Sequence, residues 1–167
     1  GDIILKNCIS EHLDCLTAKI IEMGGIVKES GDEIRVTCNK RPMKTNIKTA
    51  PHPGFPTDLQ AQMGVVLSIA DGTSVISENI WESRFQYTYE LIKMGAKITS
   101  QGKTAFFEGV ESLYGAPVYA TDLRAGAALI IAGISATGTT ELHNLQHIDR
   151  GYEHIEEKFR KLGANII

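Results

Sequence analysis

The chain has 167 residues, 43% of them hydrophobic and 22% charged, which suits one globular domain with a core of its own or a piece of a larger one. A formal net charge of −3 at pH 7 gives no bulk electrostatic case for nucleic acid. Three cysteines without CxxC spacing (Cys8, Cys15, Cys38) argue against a disulfide framework or a zinc site, and the longest apolar run, Ala125–Ile134, is too short to cross a bilayer.

The chain opens on a short strand pattern, "GDIIL", and Cys15 falls in a helix pattern soon after. "GIVKES", Gly31-Asp32 and "EIRVTC" then read as a hairpin. The stretch that follows is unusual. Pro51, Pro53 and Pro56 stiffen a loop that ends in Thr57 and Asp58, at the mouth of an apolar helix. Thr57 and Gln60 form a T-x-x-Q pattern, which predicts a capping box. "AQMGVVLSIA" is apolar nearly all round and predicts a buried helix; "TSVIS" alternates like a strand with one covered face. "FQYTYELIKMG" predicts an amphipathic helix closed by Gly95, and "AKIT", Gln101-Gly102-Lys103, "TAFFEG" predict a second hairpin. From Thr121 onward the order returns: "AGAALIIAG" as a buried helix, "GTTELH" as a strand, and "YEHIEEKFRKLG" as an amphipathic helix closed by Gly163.

That return is an internal repeat. Thr57-Asp58-Leu59 matches Thr121-Asp122-Leu123 at an offset of 64, and Arg84 matches Arg150 at 66. Gly1 through Leu5 match Gly72 through Ile76 at an offset of 71, with no "TDL" helix ahead of them. The expected units are residues 1–56 (shortened), 57–120 and 121–167 of a single domain, itself expected to be a fragment of a longer, two-domain protein. Each full unit reads as helix, strand, helix, strand, strand, and such units predict helices at the centre with sheets outside.

"APHPGFPTDLQAQM", "WESRF", "TDLRAGAALIIAG" and "HIDRGYEHIEEKFRKLGA" resemble the enolpyruvyl transferases, and among them the UDP-N-acetylglucosamine 1-carboxyvinyltransferases of peptidoglycan synthesis. The resemblance covers essentially the whole chain. It implies an α/β fold, an inside-out α/β barrel of βαβαββ repeats, with this chain matching most of the second of two domains. It also implies a bacterial, cytoplasmic transferase that moves the enolpyruvyl group of phosphoenolpyruvate to the 3′-hydroxyl of UDP-N-acetylglucosamine and serves cell-wall biogenesis, cell shape and division. No metal or organic cofactor is implied, and neither a nucleic-acid nor a membrane partner is expected.

By the same resemblance, Asp58 matches the proposed general base at the sugar hydroxyl. Arg150 matches an arginine that grips phosphoenolpyruvate, as a bidentate guanidinium would. Arg84 occupies the same repeat position. Asp122 and Arg124 match charges at the interdomain cleft, and Ile80 and Trp81 match an apolar contact to the nucleotide sugar with an adjacent aromatic. The acid cysteine and the lysine of the family lie in the other domain, so the missing first domain is the partner that completes the site.

Each residue also has a local reading. Asp58 can be a first-turn acid favoured by the helix dipole, Asp122 and Arg124 can cap and pair locally, and Trp81 can be core. Arg150, read as lying near a helix start, opposes the dipole there. The three cysteines read as packing residues, with Cys8 and Cys38 ending strands. A non-catalytic module that binds a nucleotide sugar or a protein is the rival function.

Overall fold

The computed structural model describes all 167 residues. Strand β1 (Asp2–Leu5) leads into helix α1 (Asp14–Glu22), and β2 (Ile26–Ser30) and β3 (Glu33–Thr37) form the first hairpin. The second unit is β4 (Ile47–Lys48), α2 (Gln60–Ile69), β5 (Thr73–Ser77), α3 (Tyr87–Lys93), β6 (Lys97–Gln101) and β7 (Thr104–Glu108). The third is β8 (Pro117–Tyr119), α4 (Leu123–Ser135), β9 (Glu141–His143), a single turn α5 (Gln146–Asp149) and α6 (Ile155–Lys161).

Three sheets result, ordered β1-β3-β2, β4-β5-β7-β6 and β8-β9. The hairpins β2–β3 and β6–β7 close on two residues each, Ser30 pairing with Glu33 and Gln101 with Thr104. Gly31 and Gly102 supply the positive φ such tight loops need, at 59° and 58°. β4 and β8 run parallel to β5 and β9, so the second unit is βαβαββ in sense, and both the second and the third begin ahead of their "TDL" helix. Residue pattern alone misses these two strands. They are two and three residues long, and parallel pairing is decided by a partner far away in sequence.

Helices α2 and α4 pack against each other, and α2 also lies on β5 and β7. α2 buries Gln60, Ala61, Met63, Gly64, Val65, Leu67 and Ser68, as a helix apolar on every side should. α4 departs from that expectation. Its first half is buried, but Ile134 is exposed because no element of the chain covers the C-terminal half on that side. The first sheet is the least covered of the three: of its strand residues only Ile34 is buried, and Ile3, Ile4, Leu5 and Ile26 lie open.

Two local expectations are corrected. Thr57 and Gln60 form no capping box. Residues Thr57–Leu59 make a 3-10 turn without a side-chain cap, the Thr57 hydroxyl is spent on Glu78, and the buried Gln60 amide has no partner. Arg150 does not sit at a helix start. It follows the last residue of α5, where the dipole favours a cation. All three cysteines are free and partly buried; Cys8 and Cys38 donate to backbone carbonyls just past their strands, and Cys15 packs on the core.

Candidate functional site

The stiff loop ahead of α2 is closed on itself: Ala50 N–H donates to the Phe55 carbonyl and Gly54 N–H to that of Pro51. Phe55 is buried, so the loop is anchored from below as well. The chain then enters the 3-10 turn, which leaves the Asp58 carboxylate 56% exposed at the mouth of the helix pair.

Two arginines from other elements meet it there. Arg124, in the first turn of α4, donates from Nε to Asp58 Oδ1 at 2.8 Å and from Nη2 to Oδ2 at 3.0 Å, a fork-on-carboxylate pair. Arg84, from the turn between β5 and α3, donates from Nη2 to Oδ1 at 3.0 Å. The Arg124 hydrogen bonds hold the Asp58 carboxyl below the usual carboxylate range against the opposing effect of burial, and the charges of Arg124 and Arg84 add to this. Arg124 is raised in turn, first by its bond to Asp58, with Asp122 and Tyr152 adding smaller favourable charge.

Trp81 is 58% exposed, and its ring lies beneath Arg84, 5.7 Å from the guanidinium carbon to the ring centroid. It is therefore an open surface aromatic and not core. Ile80 beside it is 41% exposed. Arg84 also keeps a buried Nε–H without a partner, a spare donor beside the carboxylate.

Asp122 takes the local role. It is the N-cap of α4, its Oδ1 accepting from Arg124 N–H at 2.8 Å and Ala125 N–H at 3.1 Å. Arg124 thus belongs to two systems: its backbone is capped by Asp122 and its side chain holds Asp58. Arg150 is exposed and its side chain makes no ion pair or hydrogen bond, so the structure does not join it to the Asp58 cluster. It is nevertheless held near α4. A Cβ on its neighbour Gly151 would lie 2.8 Å from Leu123 Cδ1, which means this turn packs directly on the start of α4.

One residue beneath the cluster escapes motif reading. Glu78 is 1% exposed and accepts hydrogen bonds from Thr57 and from the backbone of Ile80 and Trp81. The signal was available in the repeat, where the matching positions hold asparagine, Asn7 and Asn144.

Chemically, the cluster is a fixed, ionised carboxylate ringed by guanidinium groups and an aromatic face, open to one side. It can accept a hydrogen bond from a hydroxyl, and its arginines can bind oxyanions.

Comparison with known proteins puts this geometry in context. The model of EPSP synthase (3-phosphoshikimate 1-carboxyvinyltransferase) matches residues 1–159. The chain is 54% identical over 167 residues to UDP-N-acetylglucosamine 1-carboxyvinyltransferase 3 of Caldanaerobacter subterraneus subsp. tengcongensis, covering 100% of the chain and 40% of that relative. It is 51% identical over 166 residues to the enzyme of the same name from Symbiobacterium thermophilum, covering 99% of the chain and 39% of the relative. The enolpyruvyl transferase NikO from Streptomyces tendae superposes with a TM-score of 0.84 at 29% identity, over 92% of this chain and 36% of that one. The chain thus spans about 40% of the length of these curated relatives.

Proposed function

The chain belongs to the EPSP synthase family of enolpyruvyl transferases, and from that premise we propose that it supplies one wall of an active site that transfers the enolpyruvyl group of phosphoenolpyruvate to the 3′-hydroxyl of UDP-N-acetylglucosamine, releasing phosphate. The observation that carries the reading is Asp58 held by Arg124 and Arg84 at an open helix mouth.

In this reading the sugar hydroxyl donates its hydrogen bond to Asp58. As its oxygen bonds to C2 of phosphoenolpyruvate, the hydroxyl proton passes to the carboxylate, while C3 takes a proton from an acid outside this chain. A C3 proton then passes to a base outside this chain as the C2–O–phosphate bond breaks, which gives the enol ether and phosphate. A positioned base of this kind typically contributes ~10²–10⁴-fold to rate.

The arginine contacts oppose the base role in one respect, since a carboxyl lowered by Arg124 is a weaker proton acceptor. Substrate oxyanions resolve the conflict. A phosphate or carboxylate group entering the cleft competes for Arg124 and Arg84, loosens their hold on Asp58 and raises its basicity as substrate binds. Arg150, unpaired on the adjoining turn, is the remaining cation of this chain suited to phosphoenolpyruvate. Ile80 and Trp81 offer the apolar and aromatic surface for the nucleotide sugar. The domain carrying the acid and the second-substrate lysine is the partner, and the bacterial cytoplasm, in service of cell-wall synthesis, is the place of action. No helix of the chain is long and apolar enough to cross a membrane.

The test is phosphate release from phosphoenolpyruvate by a transferase containing this chain, with two acceptors compared. Turnover with UDP-N-acetylglucosamine is expected. Turnover with shikimate 3-phosphate alone would move the chain to the other acceptor class, and binding of the sugar nucleotide without turnover would favour the non-catalytic module.

A further inference from the structure

Glu78 is a buried carboxylate without a cation. It is 1% exposed, and no lysine, arginine or histidine pairs with it. Its oxygens are served by neutral donors instead. Oε1 accepts from Thr49 Oγ1 at 2.7 Å, Ile80 N–H at 2.8 Å and Trp81 N–H at 3.1 Å, and Oε2 accepts from Thr57 Oγ1 at 2.9 Å. The Thr49 hydroxyl in turn accepts from Asn79 N–H at 2.8 Å.

Three chain segments converge on this one side chain. Thr49 follows β4, Thr57 immediately precedes Asp58, and Ile80 and Trp81 begin the turn that carries Arg84. The repeat provides an internal control. The strand-end position held by Glu78 is Asn7 in the first unit and Asn144 in the third, each at positive φ, 56° and 62°. Asn144 makes a single side-chain bond, to the Ala120 carbonyl at 3.3 Å. A neutral amide therefore serves this strand-to-turn junction in the other two units, where the backbone is left-handed, as it is not at Glu78. Burying a carboxylate among neutral donors is costly, and it occurs only in the unit that carries Asp58.

We propose that Glu78 is a positioning residue of the transferase site: its carboxylate fixes Thr57 and the Ile80–Trp81 backbone relative to each other, and so sets where Asp58 stands against Arg84 and Trp81. This rests on the proposed function for its purpose, but the positioning itself can be read without substrate. Glu78 acts through other residues and touches no reacting atom.

The experiment compares the 167-residue chain with its Glu78→Gln and Thr57→Val variants. Thr57→Val removes only the Oε2 contact and serves if Glu78→Gln does not fold. Two ligand-free signals are followed by nuclear magnetic resonance: the Asp58 carboxyl titration, and the indole N–H of Trp81, the chain's only tryptophan. Thermal midpoint and UDP-N-acetylglucosamine affinity are measured in parallel. In each folded variant the expected result is an upward move of the Asp58 titration, as the arginine grip loosens, together with a displaced indole signal. At least a tenfold loss of sugar-nucleotide affinity should accompany them. A lowered thermal midpoint with both signals unmoved would overturn the proposal and leave Glu78 a structural residue. If the unsubstituted chain does not bind the sugar nucleotide but the variants still move both signals, the positioning role stands and the function assigned to the site falls.

Discussion

The same tripeptide, Thr-Asp-Leu, opens the central helix of the second and third units, and the two copies do different things. In the third unit the backbone at Asp122 is extended, with φ −160° and ψ 178°, and the helix begins at the next residue. Asp122 is then an N-cap, its carboxylate turned onto its own helix. In the second unit Pro56 is the extended residue, Thr57–Leu59 form a 3-10 turn, and the α-helix begins only at Gln60. The start has shifted, so Asp58 lies inside the first turn and its carboxylate is released to face solvent and the two arginines. The following residue changes accordingly. Gln60 is fully buried with an unpartnered amide, whereas Arg124, its counterpart, reaches out to Asp58. A helix start displaced within a repeat thus converts a capping residue into a candidate site residue, and the other copy supplies its counter-ion.

The sharpest way to break this comparison is to neutralise each aspartate. Asp58→Asn retains shape but cannot accept the hydroxyl proton, and turnover of a transferase containing this chain is expected to fall by ~10²-fold or more. The fold should be little affected, because an exposed ion pair contributes only ~0–1 kcal/mol. Asp122→Asn keeps a good capping residue and should leave kcat within a few-fold. Equal losses of turnover from the two substitutions, measured by phosphate release, would mean that the two copies do not differ in role.

A second pair of substitutions probes the helices behind the tripeptides. Gly64 in α2 stands where α4 has Ala128. A Cβ at Gly64 would overlap the Tyr87 hydroxyl, which is itself fully buried without a partner. Gly64→Ala should therefore destabilise by ~1–3 kcal/mol through overpacking. At the matching site Ala128→Gly should cost about 1.5–2 kcal/mol, the helix-propensity difference plus a buried methyl. Denaturant midpoints of the two variants decide the order.

The sequence shows the parts of this arrangement more readily than their meeting. The two apolar helices and both glycine-centred hairpins are local patterns, set by composition and turn chemistry within a few residues. β4 and β8 are not local, since Ile47–Lys48 and Pro117–Tyr119 become strands only by pairing with β5 and β9. Asp58, Arg84 and Arg124 were nameable through family resemblance, but nothing in their spacing brings together side chains 26 and 66 residues apart. The thwarted capping box at Thr57 and Gln60 has the same origin. A local motif competes with a buried carboxylate, Glu78, that claims the threonine hydroxyl.

A smaller effect is expected at the cap itself. Asp122→Ala removes the acceptor for Arg124 N–H and Ala125 N–H, and loss of an N-cap costs about 1 kcal/mol. Calorimetry should show a fall of a few degrees in the thermal midpoint. The matching change Asp58→Ala, with no cap to lose, should lower it less. A larger fall for Asp58→Ala would restore the capping role to the second unit.

The smallest effect is electrostatic and depends on pH. Arg124 holds the Asp58 carboxyl below its ordinary value, so the ionised form is favoured in the folded chain. The stabilisation that follows is fully present above the unfolded carboxyl range, about pH 4, and is lost as pH falls through the lowered folded value. Arg124→Met removes most of it. The stability gap between the chain and this variant should therefore be constant near neutrality and close as the solution is acidified. Its size is limited to ~0–1 kcal/mol, because Asp58 is largely solvated and the pair is screened. Added salt at pH 7 should narrow the gap in the same direction. The Asp58 titration should move up toward that of an ordinary aspartate, with Arg84 left as its only partner. A gap that widens on acidification would require Asp58 to be favoured in its protonated form, and the ionised carboxylate at the centre of the proposed site would have to be abandoned.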